Sequence, residues 1–260
     1  MAGKYKELGP VLSQECIAPD IYSMWILTDQ IAEEAVPGQF ISVYSRDGSR
    51  LLPRPISLCE IDREKKTLRI VYRVAGKGTA EFAGLKAGDT LEIMGPLGNG
   101  FPLDRCGEGK TAFLIGGGIG IPPMLELAKQ LKGEKLAVMG YRDSRMFLKE
   151  ELEQQTALYV ATEDGSFGTK GNVLDAIMEH GLQADVIYAC GPTPMLRALK
   201  AYAGEHGIEC WLSLEERMAC GVGACLACVC KSKEVDSHSH VHNKRVCKDG
   251  PVFLSTELEL

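Results

Sequence analysis

The residues whose spacing points most directly to chemistry are cysteines. The chain of 260 residues holds ten of them, and Cys220, Cys225, Cys228, Cys230 and Cys247 crowd into its final stretch. Four follow the pattern Cys220-x4-Cys225-x2-Cys228-x18-Cys247, the plant-type arrangement for a [2Fe–2S] cluster. Three thiolates then come from one tight loop and the fourth arrives from elsewhere. Such a loop needs turns that most residues resist; Gly221 and Gly223 relieve this, and Ala224 and Ala227 keep bulk low. Backbone N–H groups can then point at the sulfurs and tune the potential. Zinc is the competing reading. Structural zinc sites usually draw on two C-x2–4-C pairs, whereas Cys247 stands alone and the glycines would go unexplained. Cys230 reads as a buried thiol outside the ligand set. His238, His240 and His242 read as an exposed polar loop rather than a second metal site.

A second set of residues suits phosphate and flavin. In Pro53-Arg54-Pro55-Ile56-Ser57, Arg54 can pair bidentately with a diphosphate and Ser57 can hydrogen-bond a flavin edge; an ordinary surface arginine is the alternative. In Ala75-Gly76-Lys77-Gly78-Thr79-Ala80-Glu81-Phe82, Thr79 can cap a short helix whose free N–H groups form an anion site. It could equally be only a cap. Gly116-Gly117-Gly118-Ile119-Gly120-Ile121-Pro122-Pro123 follows a strand and opens a helix, where a parallel sheet binds dinucleotide phosphate. The G-x-G-x-x-G fingerprint is absent, and a plain tight turn is the alternative. Cys190-Gly191-Pro192 ends a strand where a nicotinamide ring could lie, or is a small buried cysteine before a turn. Glu163-Asp164-Gly165 ends another strand, where it could contact the same ligand. Asp143 lies near the end of the sheet's second strand, where an acid favours NAD; Arg142 and Arg145 beside it could welcome a 2′-phosphate. The balance leans to NAD.

These residues need elements to hold them. Residues 39–44, 67–73 and 90–94 alternate and are rich in strand formers, with turn signals at Pro37-Gly38, Asp47-Gly48 and Gly95-Pro96-Leu97-Gly98-Asn99-Gly100. Short strands with such punctuation predict a small antiparallel barrel over residues 1–103. The rhythm changes near Gly107. Strand runs at 111–115, 136–141, 157–162 and 186–190 alternate with helical patterns at 122–131, 172–180 and 193–205. This predicts an α/β parallel-sheet domain over 104–210, whose ligands sit beyond the carboxyl ends of its strands. Residues 211–260 form a small domain for the cysteine cluster. The fold class expected is therefore α+β multidomain.

Composition narrows the function classes. A net charge of −6 gives a nucleic-acid role no electrostatic support. No apolar run reaches the roughly 20 residues that span a bilayer. Met1-Ala2-Gly3-Lys4-Tyr5-Lys6 opens no signal-peptide core, so a cytoplasmic location is expected. Ten cysteines in a reducing cytoplasm argue against structural disulfides.

Order and motifs together resemble the ferredoxin-reductase superfamily: a flavin barrel, then a nicotinamide domain. The stretches carrying the resemblance are Arg54-Pro55-Ile56-Ser57, Val71-Tyr72-Arg73, Gly78-Thr79, the run from Gly116 to Pro123, Cys190-Gly191-Pro192, the loop from Cys220 to Cys228, and Arg245-Val246-Cys247-Lys248-Asp249-Gly250-Pro251-Val252-Phe253. The C-terminal cysteines narrow the resemblance to the electron-transfer subunits of bacterial two-subunit, NAD-dependent dihydroorotate dehydrogenases. This implies FAD bound by Arg54, Pro55, Ile56, Ser57, Val71, Tyr72, Arg73, Gly78 and Thr79. It implies NAD at Gly117, Gly118, Gly120, Cys190, Gly191 and Pro192, and a [2Fe–2S] cluster on Cys220, Cys225, Cys228 and Cys247. It also implies an FMN-containing catalytic partner that oxidises dihydroorotate in pyrimidine biosynthesis, two of each subunit, with electrons running from FMN through the cluster and FAD to NAD+. No side chain is expected to act as a covalent nucleophile. The superfamily often has an aromatic residue where Ile56 stands, and the histidine run before Cys247 is unusual. A related reductase subunit of a sulfhydrogenase or ferredoxin:NADP reductase assembly is the alternative; a zinc-stabilised binding module is the reading from another class.

Overall fold

The computed structural model describes residues 3–236 and 240–260. Six antiparallel strands close a barrel in the order β1-β2-β5-β4-β3-β6. They are β1 (Tyr5–Ala18), β2 (Ile21–Leu27), β3 (Phe40–Val43), β4 (Arg54–Asp62), β5 (Thr67–Arg73) and β6 (Thr90–Leu97), with short helices α1 (Ile31–Glu34) and α2 (Lys77–Ala83) between them. Met24, Ile26, Ile41, Leu58, Leu68, Ile70, Leu91 and Ile93 fill the interior. β5 is buried along its whole length except Arg73. Its outward residues are covered too, because Val71 and, from β4, Cys59 pack on the next layer.

That layer is a sheet in the order β10-β9-β8-β7-β11-β12-β15. It comprises β7 (Thr111–Gly117), β8 (Glu134–Tyr141), β9 (Ala157–Thr162), β10 (Thr169–Lys170), β11 (Val186–Cys190), β12 (Glu209–Ser213) and β15 (Val252–Leu254). All pairs are parallel except β12 with β15. Helices α3 (Pro122–Gln130) and α4 (Lys149–Glu153) pack between the sheet and the barrel, and α5 (Val173–Glu179) and α6 (Thr193–His206) cover the other face. Asn172 caps α5 by accepting from the Leu174 N–H at 2.8 Å, and Pro194 sits in the first turn of α6 (Thr193–His206).

The boundary expected between residues 210 and 211 falls inside β12. The chain after it leaves the sheet, forms the cysteine loop and the hairpin β13 (Val229–Lys231)–β14 (Asn243–Arg245), then returns as β15 against β12. The third segment is thus sewn into the second. Barrel and sheet are joined by a buried polar cluster. Arg69 donates to Ser23 at 2.8 Å, to Glu60 at 2.5 Å and to Glu151 at 2.6 Å, while the Glu126 carboxylate on α3 accepts from the Ile61 N–H at 2.9 Å.

Candidate functional site

A cavity of about 1200 Å³ opens where the barrel, the Gly116–Gly120 turn and the C-terminal segment meet. Its walls include Arg54, Pro55, Ile56 and Ser57 from β4, Val71, Tyr72 and Arg73 from β5, and Thr79 from α2. These residues, set apart in sequence, come together. Gly78 lies under the Arg54 side chain: a Cβ there would sit 2.3 Å from Arg54 Nε. The guanidinium therefore crosses the start of α2, and a side chain at position 78 would have to displace it. Thr79 does not occupy the cap position. It is the third residue of α2, and its hydroxyl reaches back to accept from the Ala75 N–H at 2.9 Å and the Gly76 N–H at 3.2 Å. Arg50 is engaged by Glu81, whereas Arg54, Arg73 and Arg217 enter no ion pair among the described residues. The cleft thus has apolar walls and cationic groups to spare, as a diphosphate-bearing dinucleotide requires.

Tyr72 is fixed by its neighbours. Its ring stacks on Tyr22 at 6.0 Å, meets Phe82 edge-on, and its hydroxyl donates to Gln14 at 2.7 Å. Sequence reasoning missed Phe40, Lys77, Ile119 and the 214–218 segment as lining residues. The last of these lacks any strand or helix pattern and is brought to the cleft by the β12–β15 pairing.

At the carboxyl edge of the sheet, Gly116 pairs with Cys190 across β7 and β11. A Cβ on Gly120 would lie 2.3 Å from the Cys190 carbonyl oxygen, and one on Gly117 would meet Met195 Sδ at 2.6 Å and Pro192 Cδ at 3.1 Å. The two turns expected to share one ligand are therefore packed backbone to backbone. Gly118 has φ +54° and faces Arg73, so this edge is continuous with the cleft. Burial pushes the Cys190 thiol up to about 12, although Ser213 opposes this; the thiol is neutral at physiological pH. Asp143 accepts from the Arg145 backbone N–H and Nε, both at 2.9 Å. The Arg145 side chain and backbone hold the Asp143 carboxyl down to about 2. Glu163 and Asp164 lie beside this turn through backbone bonds to Tyr141 and Arg142.

The cysteine loop bends through Gly221 (φ +69°), Gly223 (φ +83°) and Leu226 (φ +58°). These turns aim N–H groups at sulfur: Val222 and Ala224 at Cys220 Sγ (3.4 and 3.3 Å), and Gly223 at Cys247 Sγ (3.1 Å). The β13–β14 hairpin brings Cys247 beside Cys228, whose sulfur accepts from the Cys247 N–H at 3.4 Å. Arg245 props the loop through paired bonds to Asp249 at 2.9 and 3.1 Å and one to the Gly223 carbonyl at 3.4 Å. Among the described residues no three His, Cys, Asp or Glu side chains draw together as around a single metal ion. The Cys225 thiol lies beside Cys220, and the Cys228 and Cys220 thiols lie near Cys247. Partial burial would raise the Cys220 thiol, but the surrounding N–H groups and Cys225 outweigh it and lower it to about 6. Burial, with the Cys228 thiol alongside, raises Cys247. Cys228 and Cys247 are buried, and Cys225 is exposed.

Cys230 stands apart on β13, where its thiol donates to the Lys244 carbonyl at 3.5 Å and burial pushes it up to about 11. His240 and His242 are exposed, and His242 Nδ1 lies 2.8 Å from the Lys233 carbonyl. His238 lies outside the described residues.

A barrel, a parallel nicotinamide-type sheet and a four-thiol loop define a reductase of ferredoxin–NADP reductase architecture with an iron–sulfur module. The comparisons agree. Residues 215–259 match the iron–sulfur cluster binding domain of dihydroorotate dehydrogenase B, and residues 114–201 match the oxidoreductase NAD-binding domain. The chain is 46% identical to the dihydroorotate dehydrogenase B (NAD(+)) electron transfer subunit of Bacillus caldolyticus, covering 98% of this chain and 99% of that one. It is 44% identical to the Fusobacterium nucleatum counterpart, covering 94% and 95%. A solved structure of an NADH-dependent reduced ferredoxin-NADP oxidoreductase superposes with a TM-score of 0.86 at 31% identity, over 97% of this chain and 90% of that chain. The ferredoxin NADP+ reductase of Neisseria gonorrhoeae shares the fold, with a TM-score of 0.66 at 18% identity, covering 80% and 93%. The chain belongs to the family of dihydroorotate dehydrogenase B (NAD+) electron transfer subunits. Among the described residues no helix is long and apolar enough to cross a membrane.

Proposed function

We propose that this chain carries electrons from a dihydroorotate-oxidising partner to NAD+, holding FAD in the large cleft and a [2Fe–2S] cluster on Cys220, Cys225, Cys228 and Cys247. Nicotinamide exchanges two electrons as hydride and a cluster exchanges one at a time, so FAD, which does both, belongs between them. The observation that carries the reading is a shared wall. Phe40 and Met218 line the cleft and pack in the same apolar cluster as Cys228 and Cys247. Arg54 and the start of α2 hold the FAD diphosphate, and Pro55, Ile56, Ser57, Val71, Tyr72 and Arg73 shape the flavin seat. Gly117, Gly118 and Gly120 let the backbone approach the dinucleotide, and Cys190, Gly191 and Pro192 frame the nicotinamide with a neutral thiol. Asp143 holds Arg145, which favours NAD over its 2′-phosphorylated form. The exposed Cys225 edge faces the partner's FMN, with two of each subunit in a cytoplasmic assembly.

The 46% identity over nearly the whole chain favours this partner over a ferredoxin-NADP one. The test is reconstitution. The chain alone should oxidise NADH with dye acceptors but not dihydroorotate, and adding an FMN-containing catalytic subunit should link dihydroorotate to NAD+ reduction. Dihydroorotate turnover by the chain alone, or no coupling with that subunit, would overturn the assignment.

A further inference from the structure

One hydroxyl beside the cysteine loop has no use in the fold. Ser42, on β3, is completely buried, and its Oγ has no hydrogen-bond partner among the described residues. Buried hydroxyls in native proteins nearly always have a partner, so an orphan calls for a group that is present when the protein works. The neighbouring strand positions give the direction. Ile41 and Val43 point into the barrel core, whereas Phe40 points outward into the apolar cluster that contains Cys228 and Cys247. Ser42 alternates with Ile41 and Val43 and so shares the outward face with Phe40. What covers it there is the cysteine loop. A Cβ on Gly221 would lie 3.0 Å from Ser42 Oγ, 3.2 Å from Leu97 and 3.5 Å from Met94. The residue touching the orphan hydroxyl is therefore the one that follows the first cysteine of the loop, and it has no side chain of its own.

We propose that Ser42 donates a hydrogen bond to a sulfur at the Cys220 end of the iron–sulfur cluster and raises its reduction potential. The barrel strand would then act directly on the cluster, besides walling the flavin cleft through Phe40. A donor to sulfur stabilises the more negative, reduced state, so removing it favours the oxidised state. This rests on the assignment of the cluster to the four cysteines, which iron and sulfide analysis of the unaltered protein checks separately.

The test is a redox titration of the anaerobically purified, FAD- and iron-loaded protein by electron paramagnetic resonance, comparing Ser42→Ala and Ser42→Thr with the parent. Ser42→Ala should shift the cluster's one-electron equilibrium about tenfold toward the oxidised form, or about 59 mV. It should also remove one exchangeable-proton coupling seen by electron–nuclear double resonance, and leave the FAD midpoint unmoved. Ser42→Thr, which keeps the donor, should restore both cluster signatures. An unchanged cluster midpoint would overturn the proposal. So would a shift confined to FAD, which would assign the hydroxyl to the flavin. A Ser42→Ala protein that binds FAD but assembles no cluster also counts against it, because the four thiolates are untouched.

Discussion

Arg54 is the side chain on which the proposed flavin seat depends most. It lies across Gly78, enters no ion pair among the described residues, and has the planar donor geometry that a diphosphate accepts. Replacing it with alanine should weaken FAD binding roughly 10- to 100-fold, the scale of one charge-assisted contact. Fluorescence titration of flavin-stripped protein measures this directly, and unchanged affinity would remove Arg54 from the seat. Gly120 belongs to the same scale. Its absent Cβ is what lets the turn after β7 meet the Cys190 carbonyl. Gly120→Ala must push the two turns apart, so NADH oxidation with dyes should fall by at least tenfold while flavin and iron contents stay intact.

At the scale of elements, the parallel sheet was the most legible part of the chain. The runs at 157–162 and 186–190 coincide with β9 and β11; β11 is buried on both faces and β9 over its second half, so both read as apolar stretches rather than alternating ones. The barrel was less legible. β1 and β2 mix exposed and buried residues around bulges, between Val11 and Ser13 and between Cys16 and Ala18, and so lose the simple alternation. Arg54–Asp62 is not among the stretches whose pattern predicts a strand, yet it is one, because β3 and β5 pair with both of its edges. The cysteine spacing was legible because it is local. The 214–218 wall and Ser42 were not, since only the return of β15 and the closure of the barrel bring them to the site.

The α3 element also carries a pH prediction. Burial raises the Glu126 carboxyl above its usual value, outweighing the Gln130 and Ile61 donors that lower it. A carboxyl raised by folding contributes its full stability below the unfolded value of 4.5, and that contribution is lost as pH rises through the folded value. Glu126→Gln keeps an acceptor for the Ile61 N–H and avoids the buried charge. Its melting temperature should exceed the parent's at pH 8, with the gap closing as pH falls toward 4.5. A gap that widened on acidification would reverse the sign and refute the burial argument.

For the whole molecule, the barrel, sheet and cysteine loop converge on one wall. Val71 of the barrel shares an apolar cluster with residues of α3, and Phe40 and Met218 line the cleft and share an apolar cluster with Cys228 and Cys247. In the proposed reading this wall stands between the flavin and the cluster, and Cys225 is exposed. The account depends on both groups being present together. Iron, acid-labile sulfide and flavin should therefore be quantified in anaerobically purified protein, alongside Cys228→Ser. The prediction is a brown protein with two irons, two sulfides and one FAD per chain, and a variant that keeps FAD but loses iron. A parent protein with flavin and no iron or sulfide, or a variant with undiminished iron, would contradict it.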